Sequence, residues 1–171
     1  MSTQNLTPVL VAFTISGNTP LTRSYKEAAS QTFKKGEAVY IDGSGYVAEY
    51  TASIDDGTQR MIGFAAEDAH NGTAGQYECL VNLACDDTVF SGNIYHGTVG
   101  SAVTAQTDLT TLLPLKELPS QGTGMVAIDK ENTSGQLDMA RILDFDKNHA
   151  IGDTYGRVLF VIEAAGRQIF Q

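Results

Sequence analysis

The sequence predicts an all-β protein, a compact β-barrel or β-sandwich of the β-tulip or jelly-roll kind, with at most one short helix. Two observations carry that expectation. Seventeen glycines punctuate the chain, and the short runs between them alternate apolar and polar residues, as half-buried strands do. Charged residues make up only 18% of the 171 residues, below the roughly 25% of an average protein. A surface of Thr, Ser, Asn, Gln and Gly suits extended structure better than it suits charged helices.

In chain order, residues 36–41 form a strand, Asp42-Gly-Ser-Gly45 a turn and residues 46–51 the return strand, since Asp-Gly tolerates the positive φ of tight hairpins. Asp55-Asp-Gly57 is a second turn, followed by the apolar run 61–66. Asn71-Gly72 and Gly75 precede a clean alternation in which Tyr77, Cys79, Val81 and Leu83 face one way and Glu78 and Asn82 the other. Residues 101–113 are Thr-rich and read as irregular or extended. Strands follow at 125–128, 137–145 and 155–163. The last contains Val158-Leu-Phe-Val-Ile162, apolar on both faces and therefore central. A short strand at 168–170 ends the series. The helix candidate is 24–33, where Tyr25-Lys-Glu-Ala-Ala29 has helical propensity.

The length suits one domain or two small lobes, and 104–120 is where such a division would fall. Residues 1–20 stand apart as an N-terminal arm before a β-rich domain at 21–171. The arm's apolar residues have no partner strand close in sequence. Two readings fit it: a first strand of the domain's own sheet, or an extended arm adding a strand to a neighbour.

The formal charge is −9, from 20 acidic and 11 basic residues, and Lys34-Lys35 is the only adjacent basic pair. Nucleic-acid binding leaves a clustered basic footprint. None is present, so neither nucleic acid nor an anionic membrane surface is an expected partner. The N-terminal apolar stretch follows no basic residue, contains Pro8 and is too short to span a bilayer. Cys79 and Cys85 in one straight strand would lie ~20 Å apart, beyond the ~7 Å a disulfide allows, so both are expected as unpaired thiols, in keeping with cytoplasmic synthesis.

Reactive motifs are few. Gly43-Ser-Gly-Tyr-Val-Ala48 and Gly122-Thr-Gly-Met-Val-Ala127 satisfy a relaxed dinucleotide fingerprint, but no βαβ unit surrounds either, and both read as hairpin turns. Asp144, Asp146 and Asn148 have the spacing that opens a calcium loop, yet His149 and Tyr155 stand where Gly and a bidentate Glu belong. They are the one metal candidate, against a polar inter-strand loop. His70, His96 and His149 lack metal-ligand spacing. No nucleophile elbow or phosphate-cradling lysine occurs. No catalytic residue and no cofactor are expected, and the chain reads as a non-enzyme.

Three phrases carry a resemblance. Phe33-Lys-Lys-Gly-Glu-Ala-Val-Tyr-Ile-Asp42 leads to Gly45-Tyr-Val-Ala48 and Arg60-Met-Ile-Gly-Phe-Ala-Ala66. Gly75-Gln-Tyr-Glu-Cys-Leu-Val81 continues the cadence, and Ala140-Arg-Ile-Leu-Asp-Phe-Asp146 with Asp153-Thr-Tyr-Gly-Arg-Val-Leu159 closes it. Together they resemble the decoration (cement, head-stabilising) proteins of tailed bacteriophages. The resemblance implies a β-rich, often trimeric structural virion protein on the outer capsid surface, bound to the major capsid protein and bridging capsomers of the expanded head. It places capsid or subunit contact on Leu6, Val9, Leu10, Val11, Phe13 and Ile15. The rival expectation is a ligand-binding β-module, carbohydrate- or receptor-binding, from a fibre or surface protein. Such modules show aromatic platforms; this chain has no Trp and offers Tyr46, Tyr50 and Tyr95.

Overall fold

The computed structural model describes residues 6–50, 60–118, 125–131 and 137–168. The expected turn at 55–57 and the last residues of the expected 168–170 strand lie outside them. The described residues are almost entirely β, with three short 3₁₀ turns and no α-helix. The strands are β1 (Leu10–Thr14), β2 (Thr22–Lys26), β3 (Ala38–Ile41), β4 (Val47–Glu49), β5 (Gly63–Ala65), β6 (Glu78–Leu83) and β7 (Thr88–Tyr95). After these come β8 (Leu112–Leu113), β9 (Leu115–Glu117), β10 (Val126–Asp129), β11 (Ala140–Phe145) and β12 (Arg157–Ile162).

The smaller sheet runs β2-β6-β5-β3-β4. Its ends are drawn together by a bridge between Glu27 and Val47, where Ala28 N donates to Val47 O at 2.8 Å. Period-2 alternation then sends one side of each strand inward. Phe33, Val39, Val47, Ile62, Ala65, Cys79, Val81 and Leu83 fill the interior. Cys79 and Cys85 are both unbonded. Burial, helped by the Glu27 and Glu67 carboxylates, pushes the Cys79 thiol up to about 12, which leaves it inert.

The larger sheet runs β8-β11-β12-β7-β10-β9, with β1 paired to β7 off that path. Its two ends, β8 and β9, are separated in sequence by Pro114 alone. One run, residues 112–117, therefore pairs with β11 through its first half and with β10 through its second, and the sheet curls into a nearly closed barrel. Phe90, Ile94, Leu113, Leu115, Ile128, Ile142, Val158 and Phe160 line its core. Phe64 of the smaller sheet enters the same core, with ring centroids 4.7 Å from Phe90 and 6.1 Å from Phe160. The two barrels thus share buried apolar surface. The longest strand, β7, is buried along nearly its whole length and organises the barrel. β12 lies along one edge of it; β1 (antiparallel) and then β10 (parallel) occupy the other. Gly92 in β7 makes room for Phe160, whose ring would lie 3.0 Å from a Cβ at that position.

One expectation is corrected. The helix at 24–33 does not form: residues 22–26 pair with β6 in register from Thr22–Asn82 to Lys26–Glu78. Helical propensity differs by only tenths of a kcal/mol per residue, and five paired strand residues outweigh it. The Thr-rich stretch leads into the strands that close the larger barrel, and the chain passes from the larger sheet to the smaller at 15–21 and back at 84–87.

Candidate functional site

The N-terminal strand sits on the body of the protein and is fastened there. Thr7 N donates to Asn93 Oδ1 at 3.0 Å. The Arg157 guanidinium donates to the Thr7 hydroxyl and to the carbonyl oxygens of Pro8 (3.3 Å) and Ser91 (2.6 Å). β1 then pairs with β7 from Leu10–Ser91 to Thr14–Thr88, with a bulge between Val11 and Phe13. Gly36 permits this course: its φ is +88°, and a Cβ there would meet Pro8 and Val9 backbone and side-chain atoms at 2.7–2.9 Å.

This seating divides the six contact candidates. Leu6 and Val9 are buried inside the chain's own cores, and Val11 is half-buried against the larger one. Leu10, Phe13 and Ile15 are 46%, 47% and 64% exposed. Among the described residues β1 pairs with β7 alone, so its other edge carries an unpaired row of backbone groups. Charged side chains, which commonly guard such an edge, are missing. The edge strand β2 displays exposed Arg23 and Lys26, whereas residues 6–22 include no ionisable side chain. An uncharged edge with exposed apolar side chains is a template for strand addition.

Beside β1 lies a groove of about 640 Å³. Leu10, Val11, Phe13 and Leu159 form its apolar side, and Asp146 and Arg157 stand at its polar end. Ser91 Oγ donates to Asp146 Oδ2 at 2.6 Å, and Arg157 Nε donates to Ser91 Oγ at 2.9 Å. The Ser91 hydrogen bond, aided by Asn148 N–H and Arg157, holds the Asp146 carboxyl below its usual range. The calcium candidates belong to this loop. Asp144 Oδ1 accepts from Phe145 N at 2.8 Å, and Arg157 stands 3.9 Å from Asp146 Oδ2.

A different acidic group arises only through folding. Among the described residues, Glu37, Glu49 of β4 and Glu117 of β9 bring carboxylate oxygens within 4.8 Å of one another. Burial and then the Glu117 carboxylate hold Glu49 above its usual range. The tyrosines suggested as a platform are otherwise employed: Tyr50 is buried, Tyr95 stacks on Tyr155 at 6.2 Å, and Tyr46 packs beside Gly75. Among the tyrosines, Tyr77 is exposed instead, stacked on His70 at 5.1 Å. His70 Nδ1 lies 2.7 Å from the buried Glu27 carboxylate. No helix among the described residues is long and apolar enough to cross a membrane. Comparison with protein-family models gives no match, and no curated protein matches the chain.

Proposed function

We propose that the chain is a non-enzymatic structural virion protein that binds the outer surface of a tailed-phage capsid and stabilises the expanded head by bridging capsomers. The observation that carries this reading is the uncharged, unpaired edge of β1, with Leu10, Phe13 and Ile15 exposed on a chain of net charge −9. The three sequence phrases that resemble decoration proteins support it. The acidity supports an outer position, because packaged DNA repels such a chain. In this reading a strand of the major capsid protein, or of a sister copy in a homotrimer, adds to β1. Its apolar side chains cover Leu10 and Phe13 at roughly 25 cal/mol per Å² buried. A ligand that binds only the assembled lattice stabilises it by mass action, and repetition over a symmetric shell multiplies weak contacts.

Antibody labelling of intact source particles, viewed by electron microscopy, tests the proposal. Label over the head faces is the expected result. Label confined to tails or fibres, or missing from particles, overturns it.

The exposed Tyr77–His70 stack favours a second reading, a ligand-binding module of a fibre or surface protein. It expects glycan-array binding that Tyr77→Ala abolishes, and silence on the array counts against it.

A further inference from the structure

A separate cluster of reactive groups lies on β9 and β10. The two strands pair antiparallel with Lys116 opposite Ala127. Period-2 alternation puts Asp129 on the same face as Ala127, one step along and diagonal to Lys116. Asp129 is wholly buried. Its Oδ1 accepts from Glu131 N at 3.0 Å, while Oδ2 has no hydrogen-bond partner. The Lys116 ammonium stands 3.7 Å from that bare oxygen and donates to Glu131 Oε2 at 2.9 Å. Tyr95, opposite Asp129 on β7, brings its ring centroid to 5.3 Å from Lys116 Nζ. Tyr95 also packs against an apolar cluster of Leu6, Ala102, Leu118, Ala127 and Tyr155.

A structural ion pair alone does not account for this geometry. Leaving a buried carboxylate oxygen unpaired is costly, and the nearest cation is hydrogen-bonded to a more exposed acid. An amine, a buried carboxyl group and a second carboxylate on the amine are the parts of a condensation. At 3.7 Å from Oδ2 the Lys116 nitrogen is already in contact range of the carboxyl group whose carbon it would attack. We propose that Lys116 and Asp129 condense into an intramolecular amide that cross-links β9 to β10, with Glu131 as the proton carrier.

The step balances without an outside reactant. Through Glu131 Oε2 one proton passes from Lys116 Nζ to Asp129 Oδ2, leaving a neutral amine and a neutral acid. The amine lone pair attacks Asp129 Cγ while a second proton follows by the same route. Negative charge gathers on Oδ1, where the Glu131 N–H already points, a preorganised donor of the kind that stabilises tetrahedral intermediates. The Cγ–Oδ2 bond then breaks. Of the three ammonium protons, one stays on the amide nitrogen and two leave with Oδ2 as water. Glu131 ends as it began.

Electrostatics bear on the rate. Burial pushes the Asp129 carboxyl above its usual range, against the Glu131 N–H and Lys116, and so favours the neutral, electrophilic acid. Burial works to lower Lys116, but Glu131, Asp129 and Tyr95 together hold it above the ordinary lysine value. The amine therefore appears by proton transfer inside the cluster. His96 faces both acids and adds to the field on them. Gly97 positions the carrier, since a Cβ there would lie 2.6 Å from Glu131 Oε1.

Intact-mass spectrometry of the purified, folded protein is the deciding experiment. The expected mass is one water below that of the sequence, with a branched tryptic peptide joining Lys116 to Asp129 and no cleavage after Lys116. Lys116→Met and Asp129→Ala should restore the sequence mass, Glu131→Gln should slow the loss, and Asp129→Asn should lose ammonia in place of water. Should the variants fail to fold, the mass of the parent protein still distinguishes the bonded from the unbonded state. Full sequence mass after prolonged incubation in the folded state, with no branched peptide, overturns the proposal.

Discussion

Arg157 on β12 donates from Nη2 to the Pro8 carbonyl at 3.3 Å and to the Ser91 carbonyl at 2.6 Å, so one side chain ties the N-terminal segment to β7. Its side chain is only 11% exposed, and it also serves Thr7, Asn93 and Ser91 Oγ. Hydrogen bonds to charged groups contribute about 1.5–3 kcal/mol each. Arg157→Ala should destabilise the protein by roughly 3 kcal/mol in urea, and amides of residues 7–14 should lose exchange protection first. Arg157→Lys should not rescue it, because an ammonium cannot span these acceptors. Undiminished protection of 7–14 in Arg157→Ala would show that the clamp is idle.

Exposed and buried residues of the same segment should separate binding from folding. Leu10→Asp and Phe13→Asp should abolish association with expanded heads while changing stability by no more than about 0.5 kcal/mol, as surface substitutions do. Val9→Asp, at a position 3% exposed, should unfold the chain. Co-sedimentation with heads and thermal melting read the two effects. Parental binding by the Leu10 and Phe13 variants would remove β1 from the proposed interface.

Glu49 gives a pH dependence of definite sign. Its carboxyl is held high by burial and by Glu117, so the folded state binds the proton more tightly than the unfolded chain does. That linkage supports the fold below the unfolded value of about 4.3 and is lost as pH rises through the raised value. Glu49→Gln should therefore be more stable than the parent near neutrality, with the difference shrinking as pH falls toward about 4. Urea midpoints across this range measure it. A constant difference would show that the Glu49–Glu117 repulsion is not felt.

Phe64 should couple the two barrels. Phe64→Ala removes the ring that packs on Phe90 and Phe160 and should cost about 3–5 kcal/mol. The parent should melt in one transition. Two resolved transitions in calorimetry would mean that the shared core does not join the barrels.

The sequence was informative where alternation is clean and mute where pairing is remote. Cys79, Val81 and Leu83 are buried on one side of β6, as period 2 requires; Tyr77, just before the strand, stacks on His70 instead. β12 is central in its sheet, but its apolar run is fully buried on one face only, through Val158, Phe160 and Ile162. β7 escaped because Ser91-Gly-Asn93 interrupts its apolar pattern; the fold spends those residues on Asp146, Phe160 and Arg157 contacts. β8 and β9 were hidden among threonines around Pro114. The divided fate of Leu6, Val9, Leu10 and Phe13 depends on Gly36 and Arg157, distant in sequence. The Glu37–Glu49–Glu117 and Lys116–Asp129–Glu131 groups likewise come together through strand register, which no local spacing records.

The arrangement of β1 and β12 on opposite edges of β7 has a mechanical consequence. Both run antiparallel to β7, so tension applied through residue 6 and residue 168 pulls them toward opposite ends of the same strand. Every rung of both ladders is then loaded at once, in shear, and no single rung can be peeled ahead of the others. A chain pulled from both sides would resist as a rivet does, failing late and abruptly.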